Sequence, residues 1–92
     1  MNTSNPELAH RIRTGDFDSN VHDLGPHKGV PLLMVHGSGP GVSAWANWRL
    51  AMPELARERR VVAPDMVGFG YTDRPAGFVY TMDRWVQQAI DV

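Results

Sequence analysis

Residues 36–41 read His-Gly-Ser-Gly-Pro-Gly, three glycines in six positions directly after the apolar run Val30 to Val35. Glycines at that density let the backbone turn sharply and approach a ligand closely. N–H groups at the start of a following helix have no intrahelical partner and can hold negative charge. The loop is therefore expected to bind an anion, and its neighbours decide which one. A phosphate loop needs Gly-x-x-x-x-Gly-Lys-Ser/Thr; counted from Gly37, Val42 stands where the second glycine should be, and no lysine follows. Lys28, the only lysine, precedes the run. Gly37 and Gly39 begin a dinucleotide fingerprint, but Val42 again fills the third glycine's place. What remains is the oxyanion of an acyl-transfer reaction, held by backbone amides. The alternative is a strand-to-helix turn whose glycines serve packing alone.

The flanking elements must present such a loop. Pro31 to Val35 reads as a strand buried on both faces, and Arg60 to Pro64 as a second short strand. Between them, Trp45, Trp48, Met52, Leu55 and Ala56 recur at helical spacing over Ala44 to Arg59, with Ser43 placed as the cap. Pro53 divides that stretch into two segments. Strand, glycine loop, helix and strand make a βαβ unit and a parallel sheet. Upstream, Leu8 to Arg13 and Asp18 to Leu24 are expected to form a hairpin turning at Gly15-Asp16, after a frayed tail over Met1 to Pro6. Downstream, a helix capped by Thr81 is expected to line Met82, Trp85, Val86, Ala89 and Ile90 along one face. All three tryptophans are read as core.

Composition narrows the partners. The 92 residues carry nine basic and ten acidic side chains, for a net charge of −1, and no cysteine. Eight of the nine basic residues are scattered arginines, so no basic stripe points to nucleic acid. The polar first twenty residues lack the apolar core of a signal peptide, and the longest apolar run is too short to cross a bilayer. The expectation is a cytoplasmic chain without a membrane or nucleic-acid partner.

A second motif, Asp65-Met66-Val67-Gly68-Phe69-Gly70-Tyr71-Thr72, follows the strand at Arg60 to Pro64. Its Asp-x-x-Gly-x-Gly-x-Ser/Thr pattern, in this order after the glycine loop, resembles the α/β-hydrolase superfamily. The expected fold class is thus α/β: the N-terminal portion of an α/β-hydrolase fold, incomplete, as one domain over 1–92. In that fold the loop after the third strand donates one oxyanion N–H, and the residue after the nucleophile donates the other. The stretches Gly37 to Arg49, Val62 to Gly70 and Asp73-Arg74-Pro75 are similar to the meta-cleavage product hydrolases. Within them they are most similar to the 2-hydroxymuconic semialdehyde hydrolase group, as is Asn20 to Gly25. The similarity covers roughly residues 18–92.

That resemblance implies hydrolysis of a carbon–carbon bond in a ring-cleavage dienoate. The products would be 2-hydroxypenta-2,4-dienoate and a small carboxylic acid, formic acid for the semialdehyde. It implies no metal and no organic cofactor, and a homo-oligomer at full length. By position, the Ser38 backbone amide matches the oxyanion donor, and Ser38 and Asn47 match substrate-binding positions. Gly37, Gly39 and Gly41 shape the loop. The alternatives are a turn role for Ser38 and local backbone bonding for Asn47. His36 and Asp65 come too early for the triad order Ser, Asp/Glu, His and are read as structural. Asp65 is expected to close a turn by local bonds.

None of Ser4, Ser19, Ser38 and Ser43 sits on a Gly-x-Ser-x-Gly turn. The sequence therefore reads as cut rather than finished, with the nucleophile expected past Val92 and the acid, the histidine and the lid later still. The other readings are an esterase, dehalogenase or epoxide hydrolase of the same fold, and a non-catalytic piece or binding module.

Overall fold

The computed structural model describes residues 5–39 and 41–92; most of the expected tail (residues 1–4) and Pro40 of the glycine loop lie outside them. In chain order the elements are β1 (His10–Thr14), β2 (Phe17–Leu24), β3 (Leu32–Leu33), α1 (Ala44–Trp48), α2 (Met52–Leu55), β4 (Val61–Pro64) and α3 (Met82–Asp91). The sheet runs β1-β2-β4-β3. β1 pairs with β2 in an antiparallel hairpin, Thr14 opposite Phe17 across the Gly15-Asp16 turn. β2 pairs antiparallel with β4, His22 opposite Ala63, while β3 lies parallel to β4, Leu32 opposite Val61. The βαβ unit read from the sequence is therefore present, joined to an antiparallel hairpin in a mixed sheet.

Each face of the sheet has its own cover. Met34, Val61 and Ala63 pack with Ala44 and Met52 of α1 and α2, and Trp45 and Trp48 border that core half-buried. Ser43 Oγ accepts the Ala46 N–H at 3.0 Å and caps α1. The helix divides near Pro53 as expected, with Pro53 in the first turn of α2. That second segment closes at Leu55, four residues before the expected Arg59. On the opposite face α3 is capped by Thr81, whose Oγ1 accepts from Arg84 N at 3.2 Å. Arg84 ties the helix back to the hairpin turn through Asp16 at 2.9 Å and lies 4.2 Å over the Phe78 ring.

Three expectations need correction. β1 begins at His10 rather than Leu8, because residues 5–8 form a turn closed by Leu8 N–H on Asn5 O at 3.0 Å. β3 is shorter than Pro31–Val35 and is not buried on both faces: Leu33 and Val35 are 43% and 45% exposed. It is an edge strand among the described residues, so only its inward residues, such as Met34, reach the core. The third concerns α3, whose expected apolar face splits. Trp85, Gln88 and Ala89 turn inward, whereas Met82, Val86 and Ile90 are 71%, 51% and 69% exposed. Buried donors and acceptors of β2 and of the loop after β4 set that rotation, because Gln88 satisfies them. Its Oε1 accepts Val67 N–H at 2.8 Å, and its Nε2 donates to Ser19 Oγ and Asp65 O at 3.0 Å each.

Candidate active site

The glycine loop leaves the end of β3 and enters α1 through the Ser43 cap. Gly39 and Gly41 adopt φ of +150° and +74°, which residues with a β-carbon rarely adopt, so the turn itself depends on them. Gly37 does not have a positive φ, and a β-carbon there would meet no protein atom within 4 Å. Its space opens instead on a pocket of about 240 Å³ that it lines with Ser38, Val35, Met66, Phe69, Met82 and Trp85. Ser38 is exposed, and no described residue accepts a hydrogen bond from its backbone N–H. Ser38 thus brings an unpaired amide to the wall of a largely apolar pocket, an arrangement suited to an oxyanion donor.

A larger cleft, about 770 Å³, is lined by Gly39, Gly41, Ser43, Tyr71, Arg74 and Glu7 among others, and Ser38 is not part of its wall. Asn47 lies exposed on α1 and lines neither space; its side chain bonds to no described residue. Ser38 and Asn47 are therefore not brought together in one pocket. Met82 and Trp85 enter the wall beside Ser38 from α3, a contribution the sequence reading missed by taking Trp85 as core. Its indole N–H is held by Val67 O at 2.9 Å.

The second motif explains how the loop is supported. Asp65 is fully buried. Its Oδ1 accepts from Ala44 N–H at 2.8 Å, at the start of α1. Its Oδ2 accepts from Asn20 Nδ2 and from Tyr71 N–H, both at 2.9 Å. One carboxylate thus joins β2, the entry to α1 and the loop after β4. This is broader than the local turn closure expected from sequence. Thr72 completes the knot: its Oγ1 donates to Asp65 O and accepts from Asn20 N–H at 2.9 Å. Asn20 is the member that no motif announced; it is buried mid-strand, where only the finished sheet supplies its partners.

His36 also acts as a structural residue. Its ring is buried, meets Phe69 edge-on at 5.2 Å, and binds backbone atoms at both nitrogens. Among the described residues no cluster of three or more His, Cys, Asp or Glu side chains is placed to hold a metal. No helix there is long and apolar enough to cross a membrane.

A parallel βαβ unit whose glycine loop carries an unpaired amide, followed by the Asp65–Thr72 knot, defines a hydrolase scaffold. Residues 30–91 match the family model described as the alpha/beta hydrolase fold, and the chain belongs to that family. The chain is 56% identical over 89 residues, 97% of its length, to the 2-hydroxymuconate semialdehyde hydrolase of Pseudomonas sp. strain CF600, covering 31% of that protein. It is 55% identical over 94% of its length to the 2-hydroxy-6-oxo-2,4-heptadienoate hydrolase of Pseudomonas putida, covering 30% of it. The solved meta-cleavage product hydrolase of Pseudomonas fluorescens IP01 superposes with a TM-score of 0.89 at 50% identity, over 95% of this chain and 31% of that one. The chain spans about 30% of the length of the relatives it matches.

Proposed function

We propose that this chain supplies the first oxyanion donor, the Ser38 N–H, to a carbon–carbon bond hydrolase of aromatic catabolism. The substrate class is a 2-hydroxy-6-oxo-2,4-dienoate formed by ring cleavage, with 2-hydroxymuconic semialdehyde as the first choice. The unpaired Ser38 amide beside the apolar pocket carries the reading. Identity above 50% to two hydrolases named for such substrates supports its specificity. Hydrolysis adds water across the bond: the acyl carbon gains the hydroxyl and the dienol carbon gains the proton. Negative charge collects on the carbonyl oxygen as that carbon is attacked, and the Ser38 N–H donates to it. A single donor of this kind is worth roughly 10²- to 10³-fold in kcat.

The rest of the enzyme provides the serine nucleophile, the acid, the histidine and the second donor, in keeping with the absence of a Gly-x-Ser-x-Gly turn from these 92 residues. Gly37, Gly39 and Gly41 keep the amide open to substrate. Asn47 has an uncommitted side chain but lines neither space, so its assignment to the dienoate's carboxylate or enol oxygen rests on the family resemblance of its position. The reaction uses no cofactor, and the enzyme is a cytoplasmic homo-oligomer.

The full-length protein should consume the yellow dienoate, read as loss of its visible absorbance, with formic acid released in equal amount. Asn47→Ala should impair the dienoate reaction more than hydrolysis of a simple ester. Turnover of esters with none of dienoates would leave an α/β-hydrolase of different specificity.

A further inference from the structure

We propose that His36 is a positioning residue that fixes the direction of the Ser38 oxyanion N–H by gripping the other end of the same peptide group. This inference rests on the oxyanion role assigned above. Met66 N–H lies 2.9 Å from His36 Nε2. A backbone N–H can only donate, so Nε2 is the acceptor and the imidazole proton resides on Nδ1. Nδ1 lies 2.6 Å from Gly37 O, to which it donates.

Gly37 C=O and Ser38 N–H belong to one peptide unit, and the chain contains no cis peptide among its described residues. In a trans unit the two groups point in opposite directions within a rigid plane. Holding the carbonyl therefore aims the amide. A turn with glycine at 37, 39 and 41 has little else to stop that plane from rotating, because glycine backbones are conformationally permissive. Rotation of this peptide plane, and with it the Ser38 N–H, breaks the Nδ1–H bond of a buried ring. Accepting that bond also polarises the peptide and strengthens its N–H as a donor.

The ring can do this because its own position is fixed. It is only 6% exposed, braced by Phe69, and anchored through Met66 to the loop that Asp65 and Thr72 organise. His36 thus transmits the rigidity of the second motif to the first. This accounts for a histidine three residues past β3 that takes no part in proton transfer.

Two substitutions in the full-length enzyme separate its nitrogens. His36→Asn places an amide N–H near Nδ1 and loses the acceptor for Met66. His36→Gln places a carbonyl oxygen near Nε2 and loses the donor to Gly37. If His36 aims the amide, His36→Gln lowers kcat by about tenfold or more with KM changed less than about twofold, a part of the oxyanion donor's full worth. His36→Asn should recover much of that kcat while melting at a lower temperature. Equal kcat losses in the two variants that follow their melting temperatures, or wild-type kcat in His36→Gln, would overturn the proposal. Measuring both a dienoate and p-nitrophenyl acetate keeps the readings apart. Activity on the ester alone removes the dienoate assignment and leaves the His36 comparison readable. Nitrogen-15 NMR of the wild-type imidazole gives an independent test: the Nδ1–H tautomer is expected, and the Nε2–H tautomer would falsify the assignment.

Discussion

A β-carbon on Gly70, whose φ is +53°, would lie 2.2 Å from Asp65 Oδ2. That carboxylate oxygen serves Asn20 and Tyr71, so any side chain at 70 must displace it and strand buried donors. The left-handed backbone costs an L residue roughly 1–2 kcal/mol, and each stranded group roughly 1–3 kcal/mol. Gly70→Ala should therefore destabilise the fold by about 3 kcal/mol or more in urea unfolding. A loss below about 1 kcal/mol would mean the knot tolerates rearrangement. His22 makes a different demand. It is buried on β2 against Trp45, with rings 6.0 Å apart, and its Nε2 has no partner among the described residues. Burial pushes its pKa below the ordinary 6.5, and the nearby Asp65 carboxylate offsets this only in part. The folded state therefore binds fewer protons than the unfolded chain. Stability from the neutral ring is complete above pH 6.5 and falls away as pH drops from there toward the lower folded value. His22→Gln should flatten that first acid step in a pH series of urea midpoints. Asp23, bound by Arg60, and Asp73, bound by the Asp18 N–H and Arg11, also have lowered pKa values. Their contributions are lost only at more acid pH.

Gln88 gives α3 its orientation through three buried bonds, to Val67 N–H, Ser19 Oγ and Asp65 O. Gln88→Leu preserves bulk and helix propensity but leaves the Val67 N–H without an acceptor. It should cost about 2 kcal/mol, the desolvation penalty of a buried unpaired group with little relief from added apolar burial. A neutral result in thermal melts would show that the helix can turn its Met82–Val86–Ile90 stripe inward instead. This helix also marks the limit of what the sequence discloses. Its existence and Thr81 cap follow from local pattern, as do the Ser43 cap and the break at Pro53. Period and capping are properties of neighbouring residues. Which stripe faces inward is not: a reading by hydropathy alone places Met82, Val86 and Ile90 in the core and leaves Gln88 outside. Asn20 and Gln88 are buried because distant segments bring them partners, which no local signal records. The same holds for β3, where the apolar run is plain in the sequence but the number of strands beside it is not. At the site, the glycine loop was legible because its chemistry is backbone chemistry. The wall that Met82 and Trp85 build beside Ser38 depends on where the seventeen-residue connection 65–81 returns the chain.

The described residues form a thin body, 39 × 36 × 22 Å, with a radius of gyration of 13.2 Å, slightly above the roughly 12 Å expected of a compact chain of this length. Its apolar surface is not evenly spread. Val35 and Met82 share the pocket beside Ser38, and Leu33 lines a neighbouring hollow with Ala89 and Val92. The exposed residues of the β3 segment and the inner side of α3 thus line adjoining spaces, while Val86 and Ile90 point outward from the same helix. Five large apolar side chains of these two segments, Leu33, Val35, Met82, Val86 and Ile90, are each more than two-fifths exposed. Exposed apolar area of this extent drives association or dye binding in water. The 92-residue chain by itself should bind anilinonaphthalene sulfonate and elute from a sizing column larger than a monomer. Replacing Val86 with Glu and Ile90 with Lys should reduce both effects while preserving the helical circular dichroism, because neither side chain reaches the core. If the unsubstituted chain is a dye-free monomer, α3 must fold its outer stripe against β3 in solution. The pocket at Ser38 would then be closed, and the oxyanion amide would be inaccessible in the isolated chain.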